Sequence, residues 1–269
     1  MEDITYRAVR TLKEVQWIAA EDTRLTRKLL THFQISTRMV SYHEHNKESS
    51  GKQLIRLLME GQSIALVSDA GLPAISDPGY ELVNLAVEHE ISVVAIPGAN
   101  AALSALIVSG LPTERFTFLG FLPRNKKHLQ EELLRISTRQ ETLIIYESPH
   151  RMIKLLTQLI EVLGNRNIVL VRELTKRYEE VVRGTLEECL FFLREHSPLG
   201  EYCVIVSGAL PYTASDVMIT QEWWDSLTLE AHVDYYERSG MQRKEAIKKT
   251  SVDRGIPKRE VYNQVMYQQ

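Results

Sequence analysis

Cysteine is scarce in this chain: two residues in 269, Cys189 and Cys203. Neither sits in a spacing that would build a disulfide scaffold or a metal centre, so no metal site is expected. Cys203 lies in an apolar run and reads as a core thiol, and this usage suits a reducing, cytoplasmic setting. No apolar run approaches the roughly 18 residues that a membrane span needs. The opening Met1-Glu2-Asp3-Ile4-Thr5 does not read as a secretion signal. Net charge is only −3, so bulk charge announces no nucleic-acid partner and only local patches can do so. Internal repeats and low-complexity tracts are absent.

What is present is ordinary globular composition, 44% hydrophobic and 25% charged, in a length that accommodates two domains and a small third piece. An apolar face predicts a helix over 3–14. From residue 15 to 109 strand-like and helix-like segments alternate: strands at 15–20, 39–42, 64–67 and 93–96, helices at 24–33, 48–60, 80–89 and 101–109. That alternation is the signature of a parallel α/β sheet. After Leu111-Pro112 the texture changes. Strands at 116–120, 142–147, 168–172 and 202–207 are spaced by helices near 126–138 and 151–163, which predicts a mixed-sheet α+β domain. A polar linker follows at 211–220, then three short helices near 223–238, 242–254 and 258–267. The expected domains are 1–112, 113–212 and 221–269.

The most informative segment is Ser68-Asp69-Ala70-Gly71-Leu72-Pro73-Ala74-Ile75-Ser76-Asp77-Pro78-Gly79. It follows a buried strand and precedes a helix, so it lies at the edge where open α/β sheets bind ligands. Its glycines permit close backbone approach and its prolines stiffen the path. An N-cap role would account for Asp77, but less well for Asp69 and the paired glycines. Glu21-Asp22-Thr23-Arg24 ends another strand on the same edge, with Thr23 a candidate cap. Pro97-Gly98-Ala99-Asn100-Ala101 joins a strand to a helix start where a ligand could lie against the main chain. It is neither a Gly-x-Gly-x-x-Gly nor a Walker loop, which gives nucleotide-cofactor readings little support.

In the second domain, Tyr146-Glu147-Ser148-Pro149-His150-Arg151 ends a strand. Pro149 fits a helix start, Glu147 and Arg151 are spaced to pair, and no nucleophile elbow accompanies His150. Lys176 and Arg177 are candidate phosphate contacts in a charged loop whose default role is solvation. Arg124, Lys126, Lys127 and His128 form a basic cluster. The tail carries a second one in a small helix-turn-helix-like unit, a pattern suited to nucleic-acid phosphates.

Taken in order, these motifs, with Ser41-Tyr42-His43-Glu44-His45-Asn46, Gly120-Phe121-Leu122-Pro123-Arg124, Arg172-Glu173-Leu174-Thr175-Lys176 and Gly200-Glu201-Tyr202, resemble those of bacterial 16S ribosomal RNA cytidine-2′-O-methyltransferases. That group lies within the tetrapyrrole (corrin/porphyrin) methylase superfamily. The resemblance implies a two-domain α/β fold with a C-terminal helical unit, a homodimer, and S-adenosylmethionine in a cleft between the first two domains. It implies methylation of a cytidine ribose in the decoding region of the small subunit. Carried over by position, Ser68, Asp69, Ala70, Gly71, Ile75, Ser76, Asp77, Pro97, Gly98, Ala99, Glu147 and Ser148 would line the cofactor. Arg24, Arg27, Arg124, Lys126, Lys127, Arg151, Lys176, Arg243, Lys244, Lys248, Lys258 and Arg259 would meet RNA. Asp22, Asp69 and Glu147 are candidate general bases, with the choice among them open.

The chain departs from this pattern at its start. Family members place a strand and a glycine-bearing loop before the first helix, and here both are missing. Three explanations are open: a mis-called gene start, which is favoured, a truncated chain, or a natural variant in which other residues close the gap. If the sequence is the true polypeptide, the expectation is a sheet with an unpaired ladder, weaker folding and impaired cofactor binding. Two other functions stay in view: a small-molecule, tetrapyrrole-type methylase, which the basic tail argues against, and an inactive RNA-binding protein of the same fold.

Overall fold

A computed structural model describes residues 1–210, 223–224 and 227–266. They fall into two compact units, Met1–Ala209 and Leu210–Gln269.

The first unit begins with helix α1 (Tyr6–Glu14), strand β1 (Trp17–Ala20), α2 (Thr23–His32), β2 (Arg38–Ser41), α3 (Lys47–Met59), β3 (Ile64–Val67), α4 (Tyr80–Glu88) and α5 (Ala101–Ser109). The three strands form a parallel sheet in the order β2-β1-β3. Ile18 and Ala20 pack on one side with Leu12, Leu30 and Ile35, while Ala19 packs on the other with Leu54 and Leu82. This period-2 alternation, buried on both sides, is what a parallel strand between helical layers requires.

Residues 93–96, expected as a strand, form none. A strand exists through its ladder, and residues 91–100 pair with no described strand. Val93 and Val94 are exposed. β3 likewise carries a ladder on one edge only among the described residues. Residues 1–5 contain no strand. Thr5 instead caps α1: its hydroxyl accepts from Ala8 N at 3.1 Å and donates to Pro97 O at 3.1 Å.

The second sheet is built from β4 (Phe116–Phe121), α6 (Lys126–Ile136), β5 (Thr142–Glu147), a 3-10 turn (Pro149–Arg151), α7 (Met152–Leu163), β6 (Asn167–Arg172), β7 (Glu180–Thr185), α8 (Leu186–Glu195) and β8 (Tyr202–Val206). Its order is β4-β5-β8-β6-β7, with only the β4–β5 pair parallel. β7 and α8 lie between the expected strands at 168–172 and 202–207. β7 reads poorly as a strand because its burial is only partial, whereas a Thr185–Glu188 capping box marks the start of α8. α6, α7 and α8 cover one face, over Leu143, Ile145, Leu170 and Val204. α5 supplies Ala102, Ala105 and Leu106 to the other face, over Ile144, Val169 and Ile205.

The second unit contains α9 (Leu229–Arg238), α10 (Arg243–Asp253) and α11 (Lys258–Met266). Val233, Tyr236, Ala246, Ile247, Val261 and Val265 form its core. Arg254 ties it together, donating to His232 Nδ1 at 3.1 Å and to the carbonyls of Trp224 and Leu227 at 2.6 Å each. The first of these helices starts at Leu229 rather than near 223, where Thr228 accepts from Ala231 N and caps it. The expected linker at 211–220 lies outside the described residues.

Candidate functional site

Because β1 and β3 are parallel neighbours in register, Ala20 against Val67, their C-terminal ends place Glu21 and Asp22 beside Ser68 and Asp69. Asp22 N donates to Asp69 Oδ1 at 3.0 Å, and Asp69 N lies 3.4 Å from Glu21 Oε2. The 68–79 loop then folds against the 97–101 turn. A Cβ built on Gly71 would stand 3.1 Å from Ala99 O, and one on Gly98 would meet Leu72 at 3.4 Å. Ser68, Asp69, Ala70, Gly71, Pro97, Gly98 and Ala99 thus lie along two touching segments.

Farther along, the loop reaches the second sheet. β4 breaks register between Phe118 and Gly120, and Gly120 adopts φ +61°. A Cβ there would stand 3.2 Å from Ser76 Oγ. Ala74 and Ser76 hold φ of +66° and +63°, a left-handed conformation that costs about 1–2 kcal/mol per non-glycine residue. Such strain persists only where surroundings fix it. Gly79 is fixed more tightly still: at φ +153°, its Cβ would meet Leu66 at 2.8 Å and Ala74 at 2.9 Å. Gly79 is also the residue that precedes α4, with no side-chain cap, so Asp77 is not that helix's N-cap.

Burial raises the Asp77 carboxyl above its usual range, with the charges of Asp69 and Glu201 adding to the effect and the Ser68 hydroxyl opposing it. Burial also raises Glu21, reinforced by Asp77 and opposed by the Asp69 amide. His43, at the end of β2, partly offsets that rise. Glu21, Asp69 and Asp77 make an acidic edge lined by main chain, a donor set that fits a cation better than an anion.

Asp22 has a different role. Its side chain accepts from Arg24 N at 2.7 Å and pairs with the Arg24 guanidinium at 2.8 Å. The side-chain bond to Arg24 and then its amide pull the carboxyl down to about 2. Asp22, not Thr23, caps α2.

Glu147 stands apart from the loop. Along β5, Ile144 and Tyr146 face the α5 side, whereas Leu143 and Ile145 face the other. Glu147 continues the second set. Its carboxylate is buried, accepts from Ser148 N at 2.8 Å, and pairs with Arg151 at 3.2 Å. Arg151 also donates to the carbonyls of Leu122 and Pro123, so the Glu147–Arg151 pair braces the β4–α6 connection. The aromatic on the loop side is Tyr146, near enough to Asp77 to feel its charge. Its hydroxyl accepts from Ala102 N at 3.0 Å, and its ring packs against Phe118 at 5.0 Å. Tyr146 lies within the Tyr146–Arg151 motif, but its direction toward the loop follows only from the alternation along β5.

With that geometry in view, the tetrapyrrole (corrin/porphyrin) methylase family matches residues 1–190. The chain belongs to this family. Among solved structures, the methylase is similar to a cobalt precorrin-4 methyltransferase, with TM-score 0.59 and 15% identity over 77% of this chain and 89% of that one. It is also similar to the Thermus thermophilus uroporphyrin-III C-methyltransferase complexed with S-adenosyl homocysteine, with TM-score 0.52 and 20% identity over 76% and 91%. At these identities the likeness establishes the fold. Sequence relatives are far nearer. The "Ribosomal RNA small subunit methyltransferase I" of Halalkalibacterium halodurans is 56% identical over 98% of this chain and 90% of its own length. That of Bacillus subtilis is 51% identical over 98% and 89%.

The basic residues of this methylase divide by what they touch. Arg24 is paired with Asp22 and Arg151 with Glu147. Lys176 lies between Glu173 at 3.1 Å and Glu201 at 3.0 Å, so its charge is already matched. Arg27, Arg124 and Lys126 are exposed without an ion pair among the described residues, and Lys127 reaches only Glu131, at 3.9 Å. Arg124 and Arg151 share a small pocket with Lys154 and Gln158. In the second unit, Arg243 pairs with Glu237 at 2.8 Å, while Lys244, Lys248, Lys258 and Arg259 are exposed. Among the described residues no cluster of His, Cys, Asp and Glu could hold a metal, and no helix is long and apolar enough to cross a membrane.

Proposed function

We propose that this chain methylates the 2′-oxygen of a cytidine ribose in the decoding region of 16S rRNA, using S-adenosylmethionine. The observation that carries this reading is identity of 51–56% across 98% of the chain to small-subunit rRNA methyltransferases. The acidic, main-chain-lined edge agrees with it, because a sulfonium cofactor is a cation. Residues 1–112 and 113–212 are read as the two lobes of the cofactor cleft and 221–269 as the RNA-binding unit. Ser68, Ala70, Gly71, Ile75, Ser76, Asp77 and the turn at Pro97, Gly98 and Ala99 would hold the cofactor.

When bound, the cofactor supplies an electrophilic methyl group. The protein's part is to align the ribose oxygen with it, which can contribute much of the acceleration, and to receive the hydroxyl proton. Of the three candidate bases, Asp69 suits that task best. Asp22 is committed to its cap and to Arg24, and a carboxyl held at about 2 is a weak base. Glu147 is enclosed by Ser148 and Arg151. Asp69 accepts one amide bond through Oδ1 and has Oδ2 left for a proton. Asp22 and Glu147 become positioning residues. A homodimer is part of the same reading, supported by the exposed apolar side chains Leu103 and Ile107 on α5.

The deciding experiment is calorimetric titration with S-adenosylmethionine, followed by transfer of labelled methyl to small-subunit RNA. Micromolar binding and label on a cytidine ribose are expected. RNA binding without cofactor binding would instead favour the inactive reading. Asp69→Asn should lower kcat by about 100-fold or more, with a much smaller loss of cofactor affinity from the reduced charge of the acidic edge. A kcat within twofold of the parent would remove Asp69 as the base.

A further inference from the structure

The C-terminal unit has a groove lined by Arg243, Lys244, Ile247, Lys258, Tyr262 and Met266. Its two rims are the first turns of α10 and α11, which begin at Arg243 and Lys258. Cations in a first turn oppose the helix dipole, so three of them there do not serve helix stability. Only Arg243 has a carboxylate partner among the described residues, Glu237. Gln242, at the N-cap of α10, provides no side-chain hydrogen bond. The first amides of that helix therefore point out beside Arg243 and Lys244, an arrangement that favours an anion.

Tyr262 and Met266 stand one turn apart on α11, and each is 46% exposed. The core contacts of this helix are made by Val261 and Val265, so Tyr262 is not required for packing. An exposed aromatic ring between cationic rims is the combination with which proteins hold single strands, stacking a base and pairing its phosphates. A duplex offers no free base face to such a ring, and RNA duplexes are read mainly through backbone and shape.

We propose that this groove binds an unpaired nucleotide of the RNA substrate, with its base stacked on Tyr262 and the flanking phosphates held by Lys244, Lys258 and Arg243. Tyr262 is thereby a contact residue, and the unit selects single-stranded over paired RNA. This rests on the rRNA reading above and narrows it.

The test is fluorescence anisotropy of the full-length chain with a labelled, unstructured oligoribonucleotide of about 12 nucleotides, and with the same strand annealed to its complement. Tyr262→Ala should lose about tenfold in affinity for the single strand and little for the duplex. Tyr262→Phe should bind like the parent. Tyr262→Leu, which keeps apolar bulk without a π face, should resemble the alanine variant and guards against a folding defect. Lys258→Gln should reduce the slope of log affinity against log salt by about 0.7, the single-strand value for one phosphate contact. Arg10→Gln, on the exposed face of α1, removes the same charge elsewhere and should leave the slope unchanged.

Equal single-strand binding by the parent and Tyr262→Ala, rescue by leucine, or an equal loss on duplex would overturn the proposal. So would the absence of any RNA binding at low salt. If the stacking pattern holds but no methyl is transferred to rRNA, the functional reading fails and the groove stands. If rRNA is methylated while the Tyr262 variants bind like the parent, the groove alone fails.

Discussion

The two sheets of the first unit divide the work of the molecule unevenly. The five-stranded sheet is enclosed by helices, with Leu143, Ile145, Leu156, Leu159, Leu170 and Val204 all but inaccessible to solvent. The three-stranded sheet has a thinner core, an edge of β3 with no ladder partner among the described residues, and a partly buried β3 throughout. Yet its C-terminal edge carries the strained loop and the shifted carboxyls, with the Pro97 turn packed against that loop. Deep packing fixes the large sheet as a platform, and the small sheet carries local backbone strain at the candidate site. Binding segments are commonly drawn from the less stable part of a fold.

The largest effect that would sharpen this contrast comes from the platform. Leu159 is fully buried in the core under α7, and Leu159→Ala should cost about 2–5 kcal/mol through lost burial and the cavity left behind. Denaturant unfolding measures this directly. Cofactor affinity in the surviving folded fraction should stay within about twofold, because no loop residue touches that cavity. A large loss of affinity would show that platform and site are not separable.

The reverse experiment belongs to the loop. Gly79→Ala forces a Cβ against Leu66 and Ala74 at a φ of +153°, so the loop must move. A stability loss of about 1–3 kcal/mol is expected, with more than a tenfold weakening of S-adenosylmethionine binding by calorimetry. Here function should suffer more than fold, the opposite ordering to Leu159→Ala. Unchanged affinity would detach the loop from the cofactor.

The contrast also governs what the sequence disclosed. Long amphipathic helices such as α7, and fully buried strands such as β5 and β8, carry strong periodic signals and stand close to their expected bounds. β7 is half-exposed at a sheet edge and carries little signal. Residues 93–96 have the apolar composition of a strand, but a ladder is a property of two segments, and composition reports only one. At the site, motif order located the loop, while register located its neighbours. That Asp22 serves Arg24 and its own helix, that Glu147 faces the braced side of β5, and that Lys176 is already paired are facts of side-chain direction. Spacing along the chain predicts the Glu147–Arg151 pair, but not which side of the strand it braces nor the partners of Asp22 and Lys176.

The smallest effect, and the most specific to the acidic edge, is its response to pH. Burial raises Asp77 above its reference of 3.8 and Glu21 above 4.5. Both groups therefore bind a proton more tightly in the native state than in the unfolded chain. Between those reference values and the raised native ones, the native state holds more protons, so stability falls as pH rises through that window and is greatest below it. Asp22 acts with the opposite sign and elsewhere. Its carboxyl is drawn down to about 2, so its contribution is present above its reference value and lost as pH falls toward 2. Asp77→Asn removes one titration and keeps a side chain of the same shape. Urea midpoints measured from about pH 4 to about pH 7 should flatten in this variant, with neutral-pH stability equal to or above the parent's. The same acids predict proton release when a sulfonium cation binds, because a nearby positive charge returns raised carboxyls to their charged form. Calorimetry in two buffers of different ionisation enthalpy should detect that release in the parent and less of it in Asp77→Asn. Identical pH slopes and identical proton release in the two proteins would mean that Asp77 titrates as an ordinary surface acid, and that the edge does not take the sulfonium as proposed.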